Sequence, residues 1–431
     1  MTLPRREFLL GSLPLAHALA QKKNAGAAPN ILVIIAENLG SWMLGCYGNK
    51  LIRTPNIDLL ARGGARFANA FVCTPSSSPS RATLLTGRLP AQHGIQDFLT
   101  PEPVENPPQG QAAPPPSFQN EVLISDVLAG AGYQCGHVGK WRLGGDSSPQ
   151  HHYSFWATEP DSVEAKTNEF LDQQSSQKPF FLTVGYFNTH EGVAPKYFDL
   201  YAKADFEEMG RDPLSPHALR DKEMMRDPVG SLRKFAAGLT ALDDRLPSLL
   251  AKLQQRGLRD NTLVVFCAAN GYLLGRHGLW SDGLASNPIN MYEEVMEVPM
   301  IWNWPGRIPV ESVRNELVSH YDFLPAICEV AAVPAPEGRA LFGRSFARLA
   351  FGRPLPRKQP WRNLVFGQYR NTRMVRDSRY KLVQRNKGDG PNELFDLTLD
   401  PRERLNRFDN PANISVRDQL TRELTSLDKV I

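Results

Sequence analysis

The apolar residues of this chain fall into short continuous runs separated by longer amphipathic stretches. Residues 29–36 form the first such run, rich in isoleucine and valine. Runs of this length and composition are typical of strands covered on both faces. Strand and helix patterns then alternate to about residue 335. This alternation predicts an α/β fold, with a large mixed, mostly parallel sheet sandwiched by helices.

The pattern changes after Pro336. Three short strand patterns follow, over residues 363–369, 372–375 and 380–384. With the terminal helical pattern behind them, they predict a small C-terminal antiparallel sheet with a helix. We therefore expect one domain over residues 29–335 and a subdomain over 336–431. Within the first domain, one long helix is predicted over about residues 229–256.

Composition narrows the class of protein. The chain has 431 residues, 42% of them hydrophobic, and a formal net charge of +4. It has no Lys/Arg tract interleaved with aromatic residues, so nucleic acid is not an expected partner. Its five cysteines are widely spaced and include no Cys-x-x-Cys pair, which argues against a zinc site or a disulfide scaffold.

The first twenty residues have the pattern of an export signal. Arg5-Arg6 precede a short apolar stretch, and Ala18-Leu19-Ala20 resembles a cleavage site. Pro14 and His17 interrupt the stretch well before the roughly 20 apolar residues that a membrane span requires. We expect a twin-arginine-type signal over residues 1–20, no membrane span, and an exported protein, periplasmic or extracellular.

The segment Ser77-Ser78-Pro79-Ser80-Arg81 carries the candidate chemistry. A short apolar run and Gly87 follow it, so the pattern predicts a helix with Pro79 at its first position, a cap from Ser78 or Ser80, and a stop at Gly87. The helix dipole and the Arg81 guanidinium both favour anions. A tetrahedral oxyanion such as sulfate or phosphate therefore suits this helix start.

Four further polar residues follow predicted strands. They are Glu37, Lys140, His190 and Asn270. Active sites of such sheets lie at the carboxyl ends of the strands, so we expect these four side chains at one edge.

The run from Ser77 to Arg88 resembles the signature of the sulfatase family, within the alkaline phosphatase superfamily. That signature reads (Cys or Ser)-x-Pro-Ser-Arg-x-x-Leu-Leu-Thr-Gly-Arg, and similar landmarks continue over roughly residues 29–410. The resemblance implies that a maturase oxidises Ser77 to formylglycine, whose hydrate attacks sulfur. It also implies a sulfated carbohydrate or an aryl sulfate as substrate.

The resemblance also implies roles for individual residues. Ser77, Arg81, Lys140 and His190 match catalytic positions, with His190 as the acid for the leaving oxygen. Arg142 stands where the family has a histidine; it keeps a cation for sulfate but cannot exchange protons near neutrality. Asp282 stands near a position where the family places a lysine against sulfate, so it brings the opposite charge to the substrate pocket.

The family holds a divalent cation, usually calcium, with aspartates after two strands. This chain has Glu37-Asn38 and Ala269-Asn270 at those positions. Because calcium affinity depends on the number of anionic oxygens, the remaining ligands Glu37, Asn38 and Asn270 predict a weak calcium site or none.

Three functions remain open from the sequence. The first is sulfate ester hydrolysis through formylglycine at Ser77, with reduced activity. The second is a pseudo-sulfatase that binds sulfated glycans without turnover, suggested by Ala269 and Asp282. The third is a phosphate or phosphonate ester hydrolase that uses unmodified Ser77; it would require a strong Lewis acid to ionise the hydroxyl.

Overall fold

The computed structural model describes residues 27–99, 116–145, 149–187 and 193–427. Eight strands form the main sheet: β1 (Asn30–Ala36), β2 (Ala65–Phe71), β3 (Gln134–Gly139), β4 (Phe155–Ala157), β5 (Phe180–Gly185), β6 (Thr262–Ala268), β7 (Met300–Asn303) and β8 (Ser312–Ser319). Their order is β4-β3-β5-β1-β6-β7-β2-β8. Only β7 among them runs antiparallel to its neighbours, β6 and β2. The predicted mixed, mostly parallel sheet is confirmed.

The described residues also form helices, most of which cover the two faces of this sheet. They are α1 (Pro55–Arg62), α2 (Ser77–Thr86), α3 (Pro90–His93), α4 (Ile124–Gly130), α5 (Val163–Asp172), α6 (Pro195–Asp199), α7 (Pro228–Asp243), α8 (Leu246–Gln255), α9 (Glu293–Met296), α10 (Phe323–Ala331), α11 (Ala347–Ala350) and α12 (Ile414–Leu427). Successive side chains of a strand point to opposite faces, so β1 contributes to two cores. Leu32 and Ile34 pack on the side of α5, α7 and α8. Ile31 and Val33 pack on the side of α2, α4 and α10.

A second, four-stranded sheet follows the main one. It consists of β9 (Val365–Tyr369), β10 (Thr372–Arg376), β11 (Tyr380–Gln384) and β12 (Glu393–Asp396), all antiparallel. Helix α12 packs Leu420 and Leu424 against Val375 and Leu382 of this sheet. The predicted C-terminal antiparallel sheet with a helix is confirmed, with β12 as an additional strand. The domain boundary near residue 335 stays a prediction.

The prediction of a single helix over residues 229–256 is wrong. The structure has two helices there, α7 and α8, separated by Asp244 and Arg245. Pro247, the second residue of α8, has no N–H to continue the ladder of α7. The apolar pattern continues across the break because both helices pack on the same core.

None of the helices within the described ranges is long and apolar enough to cross a membrane. The predicted signal at residues 1–20 lies outside the described residues.

Candidate active site

Three of the polar residues expected at one sheet edge lie there. Glu37 directly follows β1, Lys140 directly follows β3, and Asn270 comes two residues after β6. Strands β3, β5, β1 and β6 are consecutive neighbours in the sheet and all parallel, so their carboxyl ends meet. The fourth residue, His190, lies outside the described residues.

Two glycines bring Lys140 close to the end of the neighbouring strand. Gly139 and Gly185 face each other across β3 and β5, and the Lys140 N–H donates to the Gly185 carbonyl across 2.7 Å. A Cβ atom on Gly139 would lie 2.1 Å from the Gly185 oxygen, and one on Gly185 would lie 2.4 Å from the Lys140 oxygen. No side chain fits at either position without separating the strands.

Helix α2 presents its first residue, Ser77, at the same edge. The helix begins two residues earlier than predicted, because proline is tolerated anywhere in a first turn whose N–H groups lack helical partners. The predicted caps are also wrong. The Ser78 hydroxyl accepts from the Leu99 N–H at 3.1 Å, and the Ser80 hydroxyl lies 3.1 Å from His320 Nδ1. The predicted stop is confirmed: Gly87 has φ 69° and its N–H donates to the Thr83 carbonyl.

The Arg81 guanidinium joins three parts of the site. Its Nε donates to the Ser77 hydroxyl at 3.3 Å and its Nη1 donates to the Lys140 carbonyl at 2.9 Å. Its Nη2 pairs with Glu37 Oε2 at 2.8 Å. These bonds fix the guanidinium beside Ser77 and leave it at 2% exposure.

Glu37 bridges two cations. Its other oxygen, Oε1, lies 3.0 Å from Lys140 Nζ. Burial alone would raise the pKa of Glu37, but the charges of Lys140 and Arg81 outweigh it and lower that pKa to about 2. Burial and repulsion from Arg81 and Arg142 lower the pKa of Lys140, while Glu37 opposes that shift. The surroundings favour the ionised form of Glu37 more strongly than that of Lys140. Glu37 faces two cations, whereas Lys140 faces one anion and two cations.

Arg142 and Asp282, the two residues expected to contact substrate, have different surroundings. Arg142, with φ 63°, extends its guanidinium over the Phe98 ring, with Cζ 5.4 Å from the ring centroid. Asp282 is buried, and its Oδ1 accepts from the Leu284 N–H at 2.9 Å, capping its own loop. Burial raises the pKa of Asp282 to about 6.

The residues at the expected metal positions do not fit a divalent cation. Both Glu37 oxygens are engaged by Arg81 and Lys140, and Ala269 has no donor. Asn270 Nδ2 donates to Asn38 Oδ1 at 2.9 Å, which leaves one buried oxygen, Asn270 Oδ1, without a partner. Calcium requires six to eight oxygens, usually with several carboxylates. In the part of the chain that the structure describes, no group of three or more His, Cys, Asp or Glu side chains is arranged to hold a metal.

The loop that supports Arg142 was not predicted from the sequence. Phe98 lies beneath the Arg142 guanidinium. Its neighbour Asp97 accepts from Tyr369, at the end of β9, and pairs with Arg370 in the turn that follows. Leu99, next in the loop, is bonded to Ser78 of α2. These contacts join positions far apart in the chain, and no local pattern in the sequence indicates them.

The chain is similar over most of its length to proteins named as sulfatases. Human arylsulfatase A is 29% identical, over 89% of this chain and 80% of that protein. N-acetylglucosamine-6-O-sulfatase of Bacteroides thetaiotaomicron is 24% identical, over 97% of this chain and 90% of that protein. A solved structure in complex with its substrate D-glucosamine-2-N,6-O-disulfate superimposes with a TM-score of 0.75 at 21% identity, covering 94% of this chain and 98% of that one.

Two family models match the sequence. The model of the N-sulphoglucosamine sulphohydrolase C-terminal region matches residues 283–430. The sulfatase model matches residues 29–333, and the chain therefore belongs to the sulfatase family.

Proposed function

We propose that this protein hydrolyses sulfate esters of carbohydrates, with the nucleophile at position 77. The observation that carries the proposal is the contact between Arg81 Nε and the Ser77 hydroxyl at the start of α2, with Lys140 on the other side of Glu37. The relative named N-acetylglucosamine-6-O-sulfatase supports a sulfated sugar as the substrate class.

Formylglycine at position 77, as its hydrate, would supply the attacking hydroxyl. The residues of the chain do the rest: the N-terminus of α2 and the Arg81 guanidinium attract the sulfate group and hold it against residue 77. Arg142, whose charge is close enough to Lys140 to lower the pKa of that residue, would add a third cation beside Arg81 and Lys140. Protonation of the leaving oxygen stays assigned to His190 as a prediction.

Peptide mass mapping of residue 77, combined with turnover of an aryl sulfate, tests this function. We expect an aldehyde mass at position 77 and sulfate release that is lost in Ser77→Ala. Ser78→Ala is the matched control, because its hydroxyl bonds to Leu99 rather than to Arg81. An unmodified serine together with no sulfate release would contradict the proposal.

A second function, binding of sulfated glycans without turnover, is favoured by the Glu37 ion pairs. These ion pairs neutralise part of the positive charge of Arg81 and Lys140. The transition state of sulfate transfer requires that positive charge. Calorimetric binding of a sulfated oligosaccharide, with no sulfate released over days, would establish this second function. The phosphate or phosphonate alternative is not favoured, because the residues at the metal positions do not form a site for the Lewis acid that an ordinary serine requires.

A further inference from the structure

The Glu37 carboxylate lies between Arg81 and Lys140, two cations of the proposed anion site. It is 2% exposed, and each of its oxygens is bonded to a different cation, Arg81 Nη2 at 2.8 Å and Lys140 Nζ at 3.0 Å. Both cations are buried with it. The three side chains, which we call the Glu37 triad, therefore satisfy one another and leave a net charge of +1.

The neighbouring residues offer a single uncommitted oxygen, Asn270 Oδ1, in place of the carboxylates that the family uses at these positions. The side chains of Asn38 and Asn270 are hydrogen-bonded to each other, and that of Ala269 is only a methyl group. The Asp282 carboxylate accepts from the Leu284 N–H in its own loop. A cation entering the site would have to separate Glu37 from Arg81 and Lys140. It would also come against those two positive charges, in an environment where charges interact strongly.

We infer that Glu37 is a built-in counter-anion: it replaces the divalent cation site of this family with a metal-free triad, and a sulfate group binds by competing with Glu37 for Arg81 and Lys140. This inference deepens the proposed function, since it concerns the same anion site. Two consequences follow. Anion binding does not depend on divalent metal, and removing the Glu37 charge strengthens it.

Isothermal titration with inorganic sulfate tests both consequences without requiring turnover. For the wild-type chain we expect sulfate affinity to change by less than about twofold on adding either EDTA or millimolar calcium, and elemental analysis to find no bound calcium. For Glu37→Gln we expect sulfate to bind about tenfold to a hundredfold more tightly, because one opposing charge is gone. Glu121→Gln is the matched control; Glu121 is also buried and paired with an arginine, Arg88, but beyond the far end of α2, so sulfate affinity should not change.

Two more variants keep the inference testable if Glu37→Gln fails to fold. Glu37→Asp keeps the charge but shortens the reach to both cations, so sulfate affinity should fall between those of wild type and Glu37→Gln. The triple variant Glu37→Asp, Asn38→Asp, Ala269→Asp restores carboxylates, and calcium should raise its melting temperature but not that of the wild type.

Calcium binding by the wild type, or sulfate binding that EDTA abolishes, would overturn the inference. So would Glu37 variants that bind sulfate no more tightly than the wild type. If instead the sulfate-binding results are as expected but neither the wild type nor any Glu37 variant releases sulfate from an ester, the proposed hydrolysis fails and the metal-free triad stands.

Discussion

Arg81 lies four residues after Ser77 on the same face of α2, and its Nε donates to the Ser77 hydroxyl across 3.3 Å. Residues with this spacing are neighbours on a helix surface, so the helix itself aligns the cation with residue 77. The same guanidinium also bonds to Glu37 and to the Lys140 backbone. One side chain thus aligns residue 77 with two strand ends.

Arg81→Lys keeps the charge but loses the fork of donors that makes these three contacts. We expect kcat for an aryl sulfate to fall by about a hundredfold, a typical effect of losing one donor to the developing charge. Steady-state kinetics measure it. Arg88→Lys, at the other end of the helix, is the control and should leave kcat nearly unchanged. An Arg81→Lys enzyme with wild-type kcat would show that the fork is not used.

The Glu37–Lys140 pair can be measured by a double-mutant cycle. Lys140→Met leaves Glu37 with one cation, and we expect a loss of about 3 kcal/mol in the free energy of unfolding. With Glu37→Gln added, the total loss should be smaller than the sum of the two single losses by about 1–3 kcal/mol, because the residues share an interaction. Urea unfolding gives all four values. Strict additivity would mean that the 3.0 Å contact contributes nothing to stability.

Asp282 should destabilise the folded protein at neutral pH. Burial raises its pKa from 3.8 to about 6, so the folded state disfavours the ionised form. The resulting penalty is complete above pH 6, shrinks as the pH falls, and is absent below about pH 4. A shift of this size corresponds to about 3 kcal/mol.

Asp282→Asn should therefore raise the free energy of unfolding at pH 7 and leave it almost unchanged at pH 4. The amide oxygen can still accept from the Leu284 N–H. Urea unfolding at both pH values measures the difference. An equal change at the two pH values would contradict the ionisation argument.

Three buried histidines should make the protein sensitive to acid. Burial lowers the pKa values of His93, His137 and His320 from 6.5 to about 3. The unfolded chain then binds protons that the folded chain does not, so stability is lost as the pH falls from 6.5 towards 3. Each histidine contributes a slope of up to about 1.4 kcal/mol per pH unit in this interval.

His93→Gln tests one of them. The Gln amide can take the place of His93 Nε2, which lies 3.1 Å from Thr83 Oγ1. We expect the variant to be less stable than the wild type at pH 8, but to lose stability less steeply between pH 6.5 and 4. Urea unfolding across this pH range measures the decline. A decline as steep as that of the wild type would show that His93 does not contribute to it.

The sequence predicted the parts of the fold that local patterns determine. The residues of β1 are apolar on both faces, and Gly87 ends α2, so both features follow from neighbours in the chain. The break between α7 and α8 did not follow from the apolar pattern, because both helices face one core. In the site, the residue types near Ser77 were identifiable, but their pairing was not.

Glu37 shows why the residue type could be predicted but the pairing could not. From the sequence it was a candidate metal ligand, because its position after β1 corresponds to a ligand position in the family. Its actual partners, Arg81 and Lys140, come from α2 and from the end of β3, 44 and 103 residues further along the chain. Only the order of the strands in the sheet and the placement of α2 bring these charges within 3 Å.

The contact between Gly139 and Gly185 has a consequence for recognising chains with this site. The lysine at position 140 is at the right distance only because its two neighbouring strands touch where neither has a side chain. A homologous chain that keeps the lysine but carries alanine at position 185 would hold its ammonium group elsewhere. The pair of glycines is therefore a stricter marker of an assembled anion pocket than the charged residue itself.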